Sequence, residues 1–466
     1  MNVGCHGKRQ YQVASCEPYI FNILNCFLCK LQLVSLRLLQ KMSFSDVPLG
    51  PPDPMFELKQ ASDGDTSSTK IDVGIGVYRG TKPGYHEFQA IANAKRVLEQ
   101  QRLGHEYLPT TGIQSFVNRA TSLLFGTGNP IIKSQRIASV QTVGGTGAVR
   151  LGAAFLNRNI PTHSSTSRLP NSTEVYVGTP AWPNYVPLFA HAGFNVKGFN
   201  HLDRARGCAD LQAALEAVSS APSRSIFILQ VCCHNPTGQD YDRNQWIQLA
   251  DEIHSRNHFV FFDIAYQGLA SSMEEDAWPV CYFAERGIDL IVCQSFSKHM
   301  GLYSERVGVL HVLCKSSDIA TNVKDQLRSL IRWEVSSTPA YGGRLADIVM
   351  SSESLTQEWL GEVQAACDRM IKVRQDLHHL LVDELRTPGN WGHVLRERGL
   401  FSFTALSKAQ VTQLRQYHVY LAASGRVNVA GLNESNVRRF AEAVDAVVRS
   451  TSVDQASSFG GRQARL

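Results

Sequence analysis

The sequence lacks any large excess of charge of one sign. It has 46 Lys and Arg against 41 Asp and Glu, a net +5 over 466 residues. No dense basic block and no interleaving of basic with aromatic residues occurs, so no nucleic-acid partner is expected. A clean apolar run of membrane-spanning length is also missing. Residues 20–39 (IFNILNCFLCKLQLVSLRLL) come nearest, but Lys30 and Arg37 interrupt them. Charges inside the span argue against insertion, and no stable membrane association is expected. Cys26 and Cys29 form one CxxC with no second pair at zinc-ligand spacing, so no metal is expected. The eleven cysteines, with Cys232 and Cys233 adjacent, are scattered and odd in number. That reads as reduced thiols of an intracellular protein, mostly small buried hydrophobes. There is no internal repeat and no P-loop. The GIG at 74–76 lacks the strand–helix context of a dinucleotide fingerprint.

What is present is an ordinary soluble composition, 43% hydrophobic and 19% charged, long enough for two or three domains. Residues 1–41 hold five Lys or Arg and one acid, Glu17. They are read as an N-terminal extension before a second possible start at Met42, with a transit peptide as the alternative. Beyond that point helical patterns alternate with short apolar runs: EVYVG (174–178), SIFILQV (225–231), HFVFFD (258–263), DLIVCQS (289–295) and RVGVLHVL (306–313). Continuous β-branched and aromatic runs fit strands covered on both faces, and the alternation predicts a mostly parallel α/β sheet. Residues 353–386 read as a long helical stretch and FSFTAL (401–406) as a strand of a smaller α+β segment. The domains are placed at 42–85 (an arm and part of the small domain), 86–360 (large) and 361–449 (small). The Ser/Gly/Gln-rich tail, 450–466, is expected to be disordered.

Ligands of open α/β sheets collect beyond the carboxyl ends of the strands. Asn235, Asp263, Tyr266, Ser295 and Lys298 all follow apolar runs there. A lysine in such a place is desolvated, which favours the free amine that attacks carbonyls. Ser295, Ser297 and Arg306 suit a phosphate. GGTGA (144–148) opens an apparent helix whose bare N–H groups can also hold phosphate. Asp263 closes an apolar run and needs a partner, for which a protonated pyridine nitrogen would serve. Any one of these alone is commonplace: a solvated lysine, a structural turn, a helix cap.

Together the segments resemble the aspartate aminotransferase family of fold-type I pyridoxal-phosphate enzymes, most closely its cytosolic branch. The matching strings are VGIGVYRG (73–80), HEYLPTTG (105–112), GGTGA (144–148), TPAWPNY (179–185), HNPTG (234–238), FFDIAYQG (261–268), QSFSKHMGLYSERVG (294–308), GLFSFTAL (399–406) and SGRVNVAGL (424–432). Their order and spacing are the family's from about residue 44 to 448. The resemblance implies a mostly parallel seven-stranded sheet flanked by helices, a smaller α+β domain, and a cytoplasmic homodimer with shared active sites; a mitochondrial location is the alternative. It implies pyridoxal 5'-phosphate as cofactor and dicarboxylic amino and oxo acids as substrates. Aspartate with 2-oxoglutarate would yield oxaloacetate and glutamate.

The resemblance also implies roles. Lys298 matches the lysine that joins the cofactor and moves the substrate proton, and Asp263 the partner of the ring nitrogen. Asn235 and Tyr266 match the groups bonded to the phenolic oxygen, and Trp182 the aromatic stacked on the ring. Gly145, Thr146, Ser295 and Arg306 match the phosphate cradle, with Tyr107 reaching it from the neighbouring subunit. Arg426 matches the arginine that takes the substrate α-carboxylate, Gly76 a backbone contact near it, and Arg332 the arginine that crosses to take the distal carboxylate. There are departures. Tyr185 stands where the family usually has His. The family's SNPP becomes Ser336-Ser337-Thr338-Pro339, and Glu334 lies two residues from Arg332, where contact would weaken dicarboxylate binding. The leader and tail exceed the usual family length. Two other outcomes stay open: racemisation or β-decarboxylation of aspartate through the same carbanion, for which no residue clearly supplies a second base on the opposite face, or a catalytically weakened binding dimer, which these departures motivate.

Overall fold

A computed structural model describes residues 44–80, 84–159 and 173–460. The extension at 1–41, with Cys26 and Cys29, lies outside the described residues. Contacts divide the chain into Met1–Asp53 and Pro54–Leu466. Residues 44–53 hold no regular element, and everything below belongs to the second unit.

Seven strands make the main sheet: β1 (Ile137–Val143), β2 (Glu174–Thr179), β3 (Asn195–Asn200), β4 (Ile226–Gln230), β5 (Phe259–Ile264), β6 (Leu290–Ser295) and β7 (Val307–Leu313). Their order is β1-β7-β6-β5-β4-β2-β3. Only β7 runs antiparallel to its neighbours; the other pairs are parallel. The apolar runs became strands because both faces are covered. Ile226, Ile228, Phe261, Ile291 and Leu310 join one buried cluster. Their alternates Phe227, Leu229, Val260, Phe262, Val292 and Val309 join the other. That alternation is the period of two expected of a pleated strand.

Helix α1 (Gly144–Asn159) starts directly after β1 and lies on the sheet through Val149, Gly152 and Phe155. A Cβ on Gly152 would come within 2.8 Å of the Phe261 ring, so glycine allows the close approach. Helix α2 (Ser317–Glu334) carries Arg332 near its end. Helix α3 (Glu353–His379), capped by Ser352, runs unbroken through position 360. Near it, Ile71–Asp72 pairs in parallel with Val419–Tyr420, and Phe401–Phe403 pairs antiparallel with Arg426–Asn428. Helix α4 spans Val437–Gly460. No Gly or Pro stands between Val437 and Gly460 to stop it; residues 461–466 lie outside the described residues. No helix among the described residues is long and apolar enough to cross a membrane.

Phe261 is fully buried and packs edge-on against Phe189 at 5.0 Å. Phe261→Ala is therefore expected to cost about 3–5 kcal/mol of stability in a denaturant titration. A loss below about 1 kcal/mol would contradict this packing.

Candidate functional site

The sheet's register gathers the site. Gln230, Asp263 and Cys293 are level across β4, β5 and β6. Arg306 enters at the same edge, because β7 is antiparallel and it directly precedes that strand. The α1 N-terminus arrives there from the carboxyl end of β1.

Asp263 is held by one neutral donor: Tyr185 Oη donates to its Oδ2 at 2.5 Å. Its Oδ1 has no hydrogen-bond partner among the described residues. Burial pushes the carboxyl up to about 6, although the Tyr185 bond and the Lys298 charge both pull it down. Lys298 is part-buried, and its Nζ makes no hydrogen bond among the described residues. It sits 5.3 Å from the centroid of the buried Tyr266 ring. Burial brings its amine down to about 8. The Asp263 carboxylate opposes that shift, and Arg306 and Arg426 add to it. A measurable fraction of free amine therefore exists near neutral pH, as attack on a carbonyl requires.

An anion cradle lies beside this pair. Ser295 Oγ accepts from the Ser297 N–H at 3.3 Å. Arg306 Nη1 donates to the Tyr303 carbonyl at 2.9 Å and lies 3.4 Å from Ser297 Oγ. Side chains at the start of α1 would close the cradle. A Cβ at Gly144 would meet Arg306 Nη2 at 2.6 Å, and one at Gly145 would meet Ser295 Cβ at 2.8 Å. Thr146 follows in the same first turn. Trp182 stands edge-on to Tyr185, ring centroids 5.1 Å apart.

The far side of the site is built around Arg426. Its guanidinium lies 4.4 Å from the Phe401 ring centroid. Nη2 donates to the Gly74 carbonyl at 2.8 Å and Nη1 to Asn235 Oδ1 at 3.2 Å, while Nε is buried without a partner. Burial lowers its pKa. Gly76 is needed for space: a Cβ there would meet the Phe401 ring at 2.7 Å. Asn235 is fixed by Gln230, whose amide accepts from the Asn235 N–H at 2.9 Å and donates to its carbonyl at 3.0 Å. The sequence did not single out Gln230 or Phe401. The only signals for them were a polar residue closing an apolar run and a ring inside a matching string.

Tyr107 and Arg332 do not join these residues within one chain. Tyr107 is 81% exposed. Arg332 is exposed on α2, and its Nη1 donates to Ser336 Oγ at 2.7 Å. The feared contact with Glu334 does not form, since Glu334 pairs with Arg150 Nη2 at 3.0 Å. Cys232, Cys233 and Asp276 bring donor atoms within 4.8 Å of one another in the core. Burial raises the Cys233 thiol to about 12, and Asp276 already accepts from the Gly268 and Ala270 N–H groups.

The family model "Aminotransferase class I and II" matches residues 68–444. The chain belongs to that family. It is 38% identical over 406 residues to the mitochondrial aspartate aminotransferase of Schizosaccharomyces pombe, spanning 87% of this chain and 90% of the relative. Its fold matches the cytoplasmic aspartate aminotransferase of Saccharomyces cerevisiae with a TM-score of 0.82 and 37% identity, over 87% of this chain and 98% of that one. It matches an aromatic-amino-acid aminotransferase of Burkholderia pseudomallei, covalently bound to pyridoxal phosphate, with a TM-score of 0.83 and 34% identity, over 87% and 100%. The seven-stranded, mostly parallel sheet of this chain is the fold-type I architecture expected from the sequence.

A lysine amine lowered by burial makes the cofactor-free fold less stable wherever it is charged in both states. That penalty is fully present below about pH 8 and fades as pH rises from there toward the ordinary lysine value. Lys298→Met is therefore expected to melt at a higher temperature than the cofactor-free wild type at pH 7, with the gain shrinking between about pH 8 and 10.5. A melting curve lowered by the substitution at pH 7 would contradict the assignment.

Proposed function

We propose that the chain transfers the amino group of L-aspartate to 2-oxoglutarate, yielding oxaloacetate and L-glutamate, with pyridoxal 5'-phosphate as cofactor. The observation that carries this reading is the convergence, at one sheet edge, of Lys298, Asp263, the Arg306 cradle and Arg426. The aspartate aminotransferase relatives support the choice of substrate.

The donors fit the cofactor group by group. Asp263 Oδ1 lacks a partner and would take the protonated ring nitrogen. Lys298 Nζ is free for the carbonyl carbon. Gly145, Thr146, Ser295 and Arg306 would hold the phosphate, Asn235 and Tyr266 the phenolic oxygen, and Trp182 the ring face. When bound, pyridoxal phosphate supplies a carbonyl that exchanges amines and a ring that takes up the electrons of the Cα–H bond. The protein's own work is binding and proton handling. Arg426, with Gly76 nearby, binds the α-carboxylate with its fork of N–H donors. Lys298 Nζ would take the Cα proton and hand it back on the other side of the substrate nitrogen, as its lowered pKa allows. Asp263 holds the ring nitrogen's proton in place.

The reading extends to a homodimer in the cytoplasm. Tyr107 and Arg332 lie on exposed surface, and Tyr107 lines a groove of about 930 Å³ with Ser337, Thr338 and Tyr341. A second copy facing this surface would receive Tyr107 at its phosphate cradle and Arg332 at the distal carboxylate. Ser336 would orient Arg332, and the Glu334–Arg150 pair leaves Arg332 free for the substrate. The free cysteines among the described residues fit a reducing compartment. The domain division at 86–360 and 361–449 belongs to the same reading.

A coupled assay of aspartate with 2-oxoglutarate tests it. Lys298→Ala is expected to lower kcat by at least about 10²–10⁴-fold. Arg426→Ala is expected to raise KM for aspartate by about 10- to 100-fold. Wild-type turnover without glutamate formation, or D-aspartate formed with no added oxo acid, would overturn the transaminase reading.

A further inference from the structure

We propose that Tyr185 is a positioning residue for the cofactor ring: its hydroxyl holds Oδ2 of Asp263, leaves Oδ1 to the ring nitrogen, and adds no group that changes charge near neutrality. The inference rests on the reading of Asp263 given above and goes beyond it by giving this chain's departure from histidine a function.

The geometry allows Tyr185 little freedom. It is 1% exposed and opens the short helix Tyr185–His191. Its ring lies in the buried cluster with Phe189 and Phe261, edge-on to Trp182. Its N–H donates to the Trp182 carbonyl at 3.3 Å. The hydroxyl can therefore reach Asp263 Oδ2, at 2.5 Å, only from one direction. A carboxylate held by one oxygen from behind presents its other oxygen forward in a fixed orientation.

The surroundings decide the charge behaviour. Asp263 faces Tyr185 and Lys298. Tyr185 also faces Cys293 on β6 and Tyr266. Lys298 faces Asp263, Arg306 and Arg426. Burial raises Tyr185, Tyr266 and Cys293 above their ordinary values, so all three stay protonated and neutral. Arginines keep their charge throughout. Between pH 5 and 9 only Asp263 and Lys298 are left to titrate. A histidine in place of Tyr185 would bring a third titrating group, whose positive form would bind the same carboxylate more tightly.

The test compares the cofactor-loaded wild type with Tyr185→Phe and Tyr185→His, following the visible absorbance of the bound cofactor against pH together with kcat and KM for aspartate. Removing only the hydroxyl leaves Asp263 holding its proton more tightly. The ring nitrogen then carries less positive charge, and the Lys298 nitrogen keeps its proton to higher pH. For Tyr185→Phe the spectral midpoint is expected to rise by about one pH unit and kcat to fall about tenfold, with KM changed less than about threefold. Tyr185→His is expected to restore kcat but to add an inflection between about pH 5 and 8 that the wild type lacks.

An unmoved midpoint in Tyr185→Phe overturns the proposal, even if kcat falls, because a packing defect alone would do that. If Tyr185→Phe does not fold, Tyr185→His decides: a pH profile identical to wild type overturns the proposal. A wild type that binds cofactor but transfers no amino group from aspartate sinks the functional reading alone, since the midpoint still reports on Tyr185. A wild type that binds no cofactor overturns both.

Discussion

The structure depends on two opposite charges kept close in poor solvent, each without enough partners. Asp263 is pushed up to about 6 and Lys298 down to about 8 by the same burial. Each group's charge relieves the other's shift only in part, and neither group is saturated by hydrogen bonds. A fold built for stability alone would fill the strand end with an apolar residue or a fully bonded pair. Keeping an unfilled carboxylate oxygen and a free amine together has a stabilising purpose only when a ligand supplies both the cation and the carbonyl. The surrounding sheet sets the distance, because register alone levels β4, β5 and β6 at the carboxyl edge.

Much of this was legible in the sequence. The five apolar runs became strands because continuous burial on both faces leaves a pattern that local residues report. Lys298, Asp263 and Asn235 were legible because a polar residue closing such a run has few structural reasons to be there. Strands β1 and β3 stood out less. β1 (IASVQTV) mixes in Ser139 and Gln141, and the edge strand β3 has exposed or half-buried positions throughout. Contacts between distant segments left no local trace. Phe401 lies under Arg426 across twenty-five positions of sequence, and Gln230 clasps the Asn235 backbone through a side chain that reads as an ordinary strand terminus. Glu334 looked like a competitor for Arg332 because sequence gives spacing but not direction. On a helix, neighbours two apart point away from each other, and Arg150 on α1 was the partner within reach.

The site divides into two parts with different degrees of completeness. The residues proposed for the cofactor, Tyr107 apart, come together within one chain, from β4, β5, β6 and the start of α1. The rest is not: Arg332, proposed for the distal carboxylate, and Tyr107, proposed for the phosphate of a second copy, stay on exposed surface. Under the proposed function, substrate length is governed by a separate element from the chemistry. The departures from the family fall on both parts, Tyr185 behind the ring-binding carboxylate and the Ser336–Pro339 loop beside Arg332. The first puts a tyrosine hydroxyl on Asp263, and the second puts Ser336 Oγ on Arg332.

Under the proposed function the amine of Lys298, and no other, bonds to the cofactor. Borohydride reduction of the pyridoxal-phosphate-loaded protein, followed by proteolysis and mass spectrometry of the peptides, tests it most directly. The expected result is one pyridoxyl-phosphate adduct, on the peptide that contains Lys298. An adduct fixed on a different lysine, or none after reduction of a loaded sample, would contradict the account.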